Sequence, residues 1–346
     1  MPSSGPSIPL ILGTYASPKS FWEAGHRFDD YGVNAVFTGG GSIDEALFER
    51  AKSEGCLVFA EYATLNGGYA DYVTKHPDAH PIDDAGNKAA KATWFMGVCP
   101  THAGFREYRM DALRRQLERF ELDGVWMDYL HWHAQFEDPY PIFIKTCFCD
   151  SCLSTFQSSA GISIEGGTVP EKSKWIFENV ASAWEDWRVS VVVDWAIEIR
   201  GIVKAMRPNA LVGAFHCAWK DADLGGVRRR CLGLDFAALA PHVDVFSPMV
   251  YHGRSGKAPE YVRDFVTWMS DTLPIQTEPG RYPRVWPIVQ AFDEPRVTPE
   301  EFEKVLRYGL GAKSTGVMMF TLPSVVEDEG KMAVMKRVYE EMGKGG

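Results

Sequence analysis

Eight short apolar runs punctuate the chain: PLILGTY (9–15), VNAVFTGG (33–40), CLVFAEY (56–62), DGVWMDYL (123–130), ALVGAFHCAW (210–219), DVFSPMVYH (244–252), VWPIVQAF (285–292) and GVMMFTL (316–322). Each has strand length and is rich in Val, Ile, Phe and other core residues. Their hydrophobicity is near-continuous rather than alternating, which is the pattern of strands buried on both faces of a parallel sheet. Between the runs the period becomes helical. SIDEALFERAKSEG (42–55) has Ser42 as its expected cap, early acids and a closing Gly55. GFREYRMDALRRQLERFE (104–121) has apolar residues at helical spacing, and WEDWRVSVVVDWAIEIRGIVKAMRP (184–208) is a long helix stopped by Pro208. TPEEFEKVLRYGLGAKSTG (298–316) opens on a Thr-Pro-Glu-Glu start signal. Eight strands alternating with helices predict an α/β fold, a single (β/α)8 TIM barrel over residues 1–346. An open doubly wound sheet is the competing arrangement, but no Gly-rich dinucleotide fingerprint follows the first run.

Two connections, about 63–103 and 131–180, are too long for simple βα loops. In a barrel such loops build the catalytic face, and long ordered loops are usually functional. Both are expected at the same end of the molecule.

Composition narrows the partners. The chain is 45% hydrophobic and 24% charged, as globular proteins are. A net charge of −10 and a pI near 5.4 leave no general basic field for nucleic acid; the run VRRRC (227–231) reads as a solvated turn. No window of about eighteen apolar residues predicts a membrane span. The start lacks a basic n-region, so the chain reads as cytoplasmic. Eleven Trp, 13 Tyr and 20 Phe supply a core and also flat faces on which sugars stack. The outer helices of a barrel allow a homo-oligomer without specifying one.

Of the seven cysteines, Cys56, Cys217 and Cys231 are isolated and read as small buried hydrophobes. Cys147, Cys149 and Cys152 fall within the six residues CFCDSC, inside the second long connection. A structural zinc requires four tetrahedral ligands. Cys99, in GVCP at the end of the first long connection, is the best fourth; His102 and His133 are the alternatives. Such a site is closed to water and staples the two loops. An iron–sulfur cluster or three free thiols are the competing readings.

Chemistry in a barrel belongs at the C-terminal strand ends. The third run ends in Glu61. The fourth ends in Asp128, followed by Tyr129, His131, Trp132 and His133. The fifth ends with His216 and Trp219, the sixth with Tyr251 and His252, and the seventh with Gln290, then Asp293 and Glu294. Asp128 is the most informative, because an apolar strand leads straight into a carboxylate whose burial demands a partner or a function. Glycoside hydrolysis uses two carboxyl groups, one ionised and one carrying a proton. Glu61, Asp293 and Glu294 are the candidates for the second. His131 and His133 also have a spacing that can ligate a catalytic metal.

These motifs carry a resemblance. CFCDSCLSTF resembles the Cys-x-Cys-x-x-Cys stretch of family 42 β-galactosidases, (β/α)8 barrels in which three such cysteines and one upstream cysteine bind a structural zinc. Cys99 matches the upstream ligand. Where that family has Asn-Glu on strand 4, this chain has Asp128-Tyr129. The order HPDAHPIDDAGNK (76–88), CPTHAGFREYRMDALRRQLERFELDGVWMD (99–128), CFCDSC is more similar still to hypothetical glycosyl hydrolases related to family 29 α-L-fucosidases. There a strand-4 Asp is the nucleophile, and Asp128 in GVWMD matches it. FSPMVYH (246–252) resembles the sixth strand of several carbohydrate-active barrels, chitinase-like ones included. The likeness covers residues 56–156 well and the rest at the level of fold.

The resemblance implies a retaining glycoside hydrolase with a structural zinc, Asp128 as nucleophile and a second carboxylate as acid/base. Trp126, Tyr129, His131, Trp132, His216, Trp219, Tyr251, His252 and Gln290 are the candidate sugar contacts. Two other classes compete: a zinc-dependent hydrolase with a metal-activated water, and a barrel that binds carbohydrate without cleaving it.

Overall fold

The computed structural model describes residues 9–136 and 139–344. Eight parallel strands close into a barrel: β1 (Ile11–Tyr15), β2 (Ala35–Gly39), β3 (Leu57–Ala63), β4 (Gly124–Asp128), β5 (Leu211–Cys217), β6 (Val245–Val250), β7 (Arg284–Val285 and Ile288–Gln290) and β8 (Gly316–Phe320). Neighbours in sequence are neighbours in the sheet, and β8 pairs back onto β1 with Ile11 opposite Gly316 and Tyr15 opposite Phe320. All eight apolar runs are strands. β7 is split at Trp286-Pro287, because Pro287 has no N–H to give the ladder.

Side chains alternate between the barrel interior and the helical layer. The interior is plugged by rings. Phe37 and Phe59 stack at 4.6 Å, Trp126 and Trp286 at 5.6 Å, and Phe59 meets Trp126 edge-on at 4.6 Å. The Trp126 indole lies over Gly213, where an added Cβ would sit 2.1 Å from the ring. Above this plug, toward the C-terminal ends of the strands, stand Tyr15, Glu61, Asp128, Phe215, Tyr251 and Phe320.

The helices used below are α1 (Glu45–Ser53), α2 (Ala103–Arg119), α3 (Asp150–Ala160), α4 (Val169–Asn179), α5 (Ala181–Met206), α6 (Glu260–Thr272), α7 (Pro299–Gly309) and α8 (Glu329–Gly343). Asp44, not Ser42, caps α1 by accepting the Leu47 N–H at 2.8 Å; Ser42 belongs to a preceding tight turn. α7 starts as its sequence promises, with a Thr298/Glu301 capping box, but stops at Gly309 rather than running toward 316. The stretch 131–180 is no bare loop: α3 and α4 lie within it. Among the described residues, no helix is long and apolar enough to cross a membrane.

Candidate functional site

Glu61 and Asp128 come from adjacent strands. Glu61 is opposite Trp126 and Ala63 opposite Asp128, so the longer Glu61 side chain reaches up to the level of the shorter Asp128. Their carboxyl groups share a hydrogen bond. A bond between two carboxyls requires a proton on one of them. Tyr15, at the end of β1, donates its hydroxyl to Glu61 Oε2. Burial raises the Glu61 pKa above the usual carboxylate range; the hydrogen bonds with Tyr15 and Asp128 favour its anion but do not cancel the burial. Burial, then the facing Glu61 and Asp128, raise the Tyr15 phenol as well, so it stays a neutral donor.

Asp128 Oδ1 accepts the backbone N–H of Tyr129 at 2.8 Å. Tyr129 holds a left-handed φ of +52°, a strained state for a bulky residue and one that clusters at functional sites. Its ring stacks on Phe95 at 5.1 Å and meets Trp94 edge-on at 5.8 Å. Trp94 is 46% exposed, a free flat face beside the carboxyl pair.

Glu61 borders a cleft of about 560 Å³ between the Gly39–Ser42 turn and α2. Asp128 and Tyr129 border a recess of about 30 Å³ with Trp94, Phe95, His131 and Phe136. A second small recess, about 20 Å³, is lined by Trp219, Tyr251 and Phe136. The carboxyl pair thus lies where a broad cleft meets narrow aromatic slots.

The other candidates divide by position. Trp126 is wholly buried in the plug and donates to Ser247 Oγ at 2.9 Å. Trp132 is wholly buried under the Arg188 guanidinium and donates to Arg188 O at 3.0 Å. His216 points out of the barrel onto Phe236, with ring centroids 4.2 Å apart, and burial pushes its pKa down to about 3. His252 is also buried, and burial lowers its pKa. Gln290 is wholly buried and stitches two loops, accepting from Arg254 N at 3.0 Å and donating to Phe292 O and Pro295 O. Asp293 pairs with the buried Lys331 of α8 at 2.6 Å. Burial would raise the Asp293 pKa, but Lys331 and the Val297 N–H outweigh it and hold the group low. Glu294 follows it on an exposed turn. β3 and β7 are four strands apart by either way round the barrel. The structure brings Glu61 to Asp128 and leaves Asp293 and Glu294 on the opposite side.

His131 and His133 hold the loops. His133 Nε2 meets Ala90 O at 2.8 Å while its Nδ1 accepts the Gly97 N–H at 2.9 Å, so both ring nitrogens are used. His131 Nδ1 meets Trp132 O at 2.7 Å, and burial pushes this imidazole down to about 4. Among the described residues the grouping that can hold a metal is a different one: Cys99, Cys147, Cys149 and Cys152, whose sulfurs all lie within 4.8 Å of one another. Cys99 Sγ is 3.6 Å from Cys149 Sγ and 3.5 Å from Cys152 Sγ. Tetrahedral Zn–S bonds of about 2.3 Å put sulfurs roughly 3.8 Å apart, so the donor set fits. The surrounding donors suit thiolates: Ile82 N–H points at Cys147 Sγ at 3.3 Å, Cys152 N–H at Cys149 Sγ at 3.4 Å, and Thr101 Oγ1 stands 3.2 Å from Cys152 Sγ. Cys149 thereby caps α3. His102 is elsewhere engaged, with Asp78 at 2.9 Å and the Phe105 N–H.

Sequence reasoning missed Tyr15, Trp94 and the arginines of α2. Tyr15 was within reach, since PLILGTY ends in Tyr as CLVFAEY nears its end in Glu61. Trp94 sits in a long connection with no periodic signal.

This is a barrel of the kind on which glycoside hydrolases are built. No protein-family model and no curated protein matches the chain. Among solved structures, the glycoside hydrolase domain of PgaB (BpsB) from Bordetella bronchiseptica is similar over 94% of this chain and 98% of that one, with 14% identity and a TM-score of 0.67. A β-galactosidase from the haloarchaeon Halorubrum lacusprofundi is similar over 96% of this chain, with 13% identity and a TM-score of 0.69. The catalytic domain of a β-amylase from Paenibacillus polymyxa covers 96% of this chain at 11% identity and a TM-score of 0.63. The chain spans only 58% of the length of the β-galactosidases from Halorubrum and from Rahnella sp. R3. At these identities the likeness is one of fold.

Proposed function

We propose that the chain is a glycoside hydrolase, with Glu61 as the acid that protonates the leaving oxygen and Asp128 as the nucleophile. The observation that carries this reading is the proton-sharing pair itself, two carboxyls and a tyrosine at the C-terminal mouth of the barrel. Burial raises the Glu61 pKa, and two carboxyls that share one proton supply both an acid and a carboxylate, which is the division of labour the reaction needs. Tyr15 steadies Glu61 when it gives up its proton. Retaining pairs stand about 5–5.5 Å apart, so the hydrogen bond must open as the glycosidic oxygen enters between them. Trp94 and Tyr129 offer faces for the sugar. The four cysteines would hold a zinc ion, which would fix the two long loops and take no part in bond cleavage, as a closed four-thiolate site has no open position.

The test is hydrolysis of a panel of aryl glycosides, fucosides and galactosides included, by the wild type, Asp128→Asn and Glu61→Gln, with and without brief chelation. Turnover that both substitutions abolish and chelation spares supports the reading. Turnover equal in all three proteins sinks it. The narrowness of the Asp128 recess, about 30 Å³, favours a second reading, a barrel that binds glycans without cleaving them. Unchanged glycan binding in Asp128→Asn, with no turnover by either protein, decides for it.

A further inference from the structure

The 560 Å³ cleft carries a charge that the proposed chemistry does not use. It has two walls beyond Glu61. One is the turn Gly39-Gly40-Gly41-Ser42; the other is one face of α2, with Arg109, Arg115, Gln116 and Arg119. At 1.5 Å per residue, Arg109 to Arg119 spans about 15 Å of helix. Glu61 is the one carboxylate among the described residues that line this space. In a chain of net charge −10, three guanidinium groups around one carboxyl are a local reversal of sign.

The arginines of α2 outside the cleft are neutralised: Arg106 pairs with Glu198, and Arg114 with Asp111 at 2.8 Å. The cleft arginines have no carboxylate partner among the described residues. Arg109 is only 2% exposed, and its guanidinium is sandwiched between the Tyr62 and Tyr69 rings at 4.4 and 4.3 Å. Its Nε and Nη1 have no hydrogen-bond partner, nor has the buried Nε2 of Gln116. A buried guanidinium without counter-charge is costly unless something supplies one.

The opposite wall is close. A Cβ on Gly40 would lie 2.3 Å from Gln116 Nε2, on Gly41 3.7 Å from the Tyr69 hydroxyl, and on Gly39 3.9 Å from Glu61 Oε2. The turn, the arginine face, Tyr69 and the candidate acid therefore enclose one space. Guanidinium forks that line a space with few carboxylates are suited to carboxylate and sulfate oxygens.

From this we infer that the cleft binds an anionic saccharide, a glycan chain bearing carboxylate or sulfate groups, running from Glu61 along the arginine face of α2. This rests on the reading of Glu61 as part of a reaction centre, and names the substrate class for it.

The test separates binding from turnover. Oligouronates, sulfated oligosaccharides and the carboxyl-reduced or desulfated neutral forms of each are titrated against the full chain carrying Glu61→Gln, by calorimetry at low and at high salt. The same is done with Arg115→Ala/Arg119→Ala added, two exposed positions that leave the fold intact. Arg109→Lys is a third variant, for the buried position. The expected result is tighter binding of the acidic than of the neutral form, about ten-fold weakening in the double variant, and further weakening with salt. The uronate and sulfate arms tell which anion is preferred. Equal binding of acidic and neutral forms, binding indifferent to the double variant, or no binding of any acidic glycan overturns the inference. Hydrolysis by the wild type is scored separately. Acidic glycans that bind but are never cleaved remove the hydrolase reading and leave the anionic cleft standing. Neutral glycans cleaved equally by wild type and double variant do the reverse.

Discussion

Glu61 concentrates the chemistry of the mouth in one half-buried carboxyl. Its raised pKa fixes the sign of its effect on stability. The folded state holds a proton on Glu61 at pH values where the unfolded chain, near the usual 4.3, has lost it. The stability this contributes is full below the unfolded value and is lost as pH rises through the raised one. Glu61→Gln keeps an oxygen to accept from Tyr15 and an amide to face Asp128, but it has no charge to desolvate. It is therefore expected to cut kcat by about 10²- to 10⁴-fold while matching or exceeding the wild type in urea midpoint at pH 8, with a smaller advantage at pH 5. A loss of stability at pH 8 would mean that the carboxyl is ionised and paired rather than protonated. Tyr15→Phe tests the partner. The Tyr15 hydrogen bond favours the Glu61 anion, so its removal raises the Glu61 pKa further. The basic limb of the kcat/KM profile should move to higher pH; a shift to lower pH, or none, removes Tyr15 from the site.

At the level of elements, the strands were legible because each is buried on both faces, and the same property hid which way their side chains point. In β5 every residue is buried, so hydrophobicity carries no record of face. His216 stands at a strand end as the site requires, yet parity turns it outward while Phe215 points in. The same parity puts Trp126 on Asp128's side of β4, one pleat lower, where it meets the plug rather than a sugar. The cysteine staple was legible for the opposite reason. Metal ligation calls for convergent donors of one kind, and Cys99 was the remaining cysteine in a long connection. The cluster brings the end of the stretch 63–103 to the middle of 131–180 through four side chains, with N–H donors from Ile82 and Cys152. Cys99→Ser should abolish the tightly held metal, with about one zinc per chain in the wild type and none in the variant. It should cost ~3 kcal/mol or more, read as a fall in melting temperature, and slow proteolysis of the wild type at 63–103 should become fast. A variant that keeps full metal content would mean that Cys99 is not a ligand.

The whole molecule is closed by its two ends. β1 pairs with β8, and the buried Tyr339 of α8 donates to Gly13 O at 2.8 Å. With the first and last strands paired in one sheet, the titration of groups far apart is expected to appear in the unfolding of the barrel as a whole. Four buried histidines act on the acid side: burial lowers His133 and His252 as well as His131 and His216. Burial pushes His131 down to about 4 and His216 to about 3, one in the loop after β4 and one behind β5. The unfolded chain takes up its protons near 6.5, while the folded chain holds both imidazoles neutral until far lower pH. Stability from each is full above 6.5 and lost as pH falls, through about 4 for His131 and about 3 for His216. At up to about 1.4 kcal/mol per pH unit per group, and half that at pH 6.5 itself, His131 and His216 lose about 3 kcal/mol together between pH 6.5 and 5. Glu61 gains over the same window, but it is one group against four. Asp293, held low by Lys331 in spite of burial, adds its own loss only further down. The protein is therefore expected to be markedly less stable at pH 5 than at pH 7, with a falling urea midpoint and an unchanged slope. His216→Leu should shrink that drop, whatever it does to stability at pH 7, because it deletes one of the histidines that the unfolded chain protonates and the folded chain holds neutral. A drop of the same size in His216→Leu would show that the acid limit lies elsewhere, with carboxylates paired across the surface.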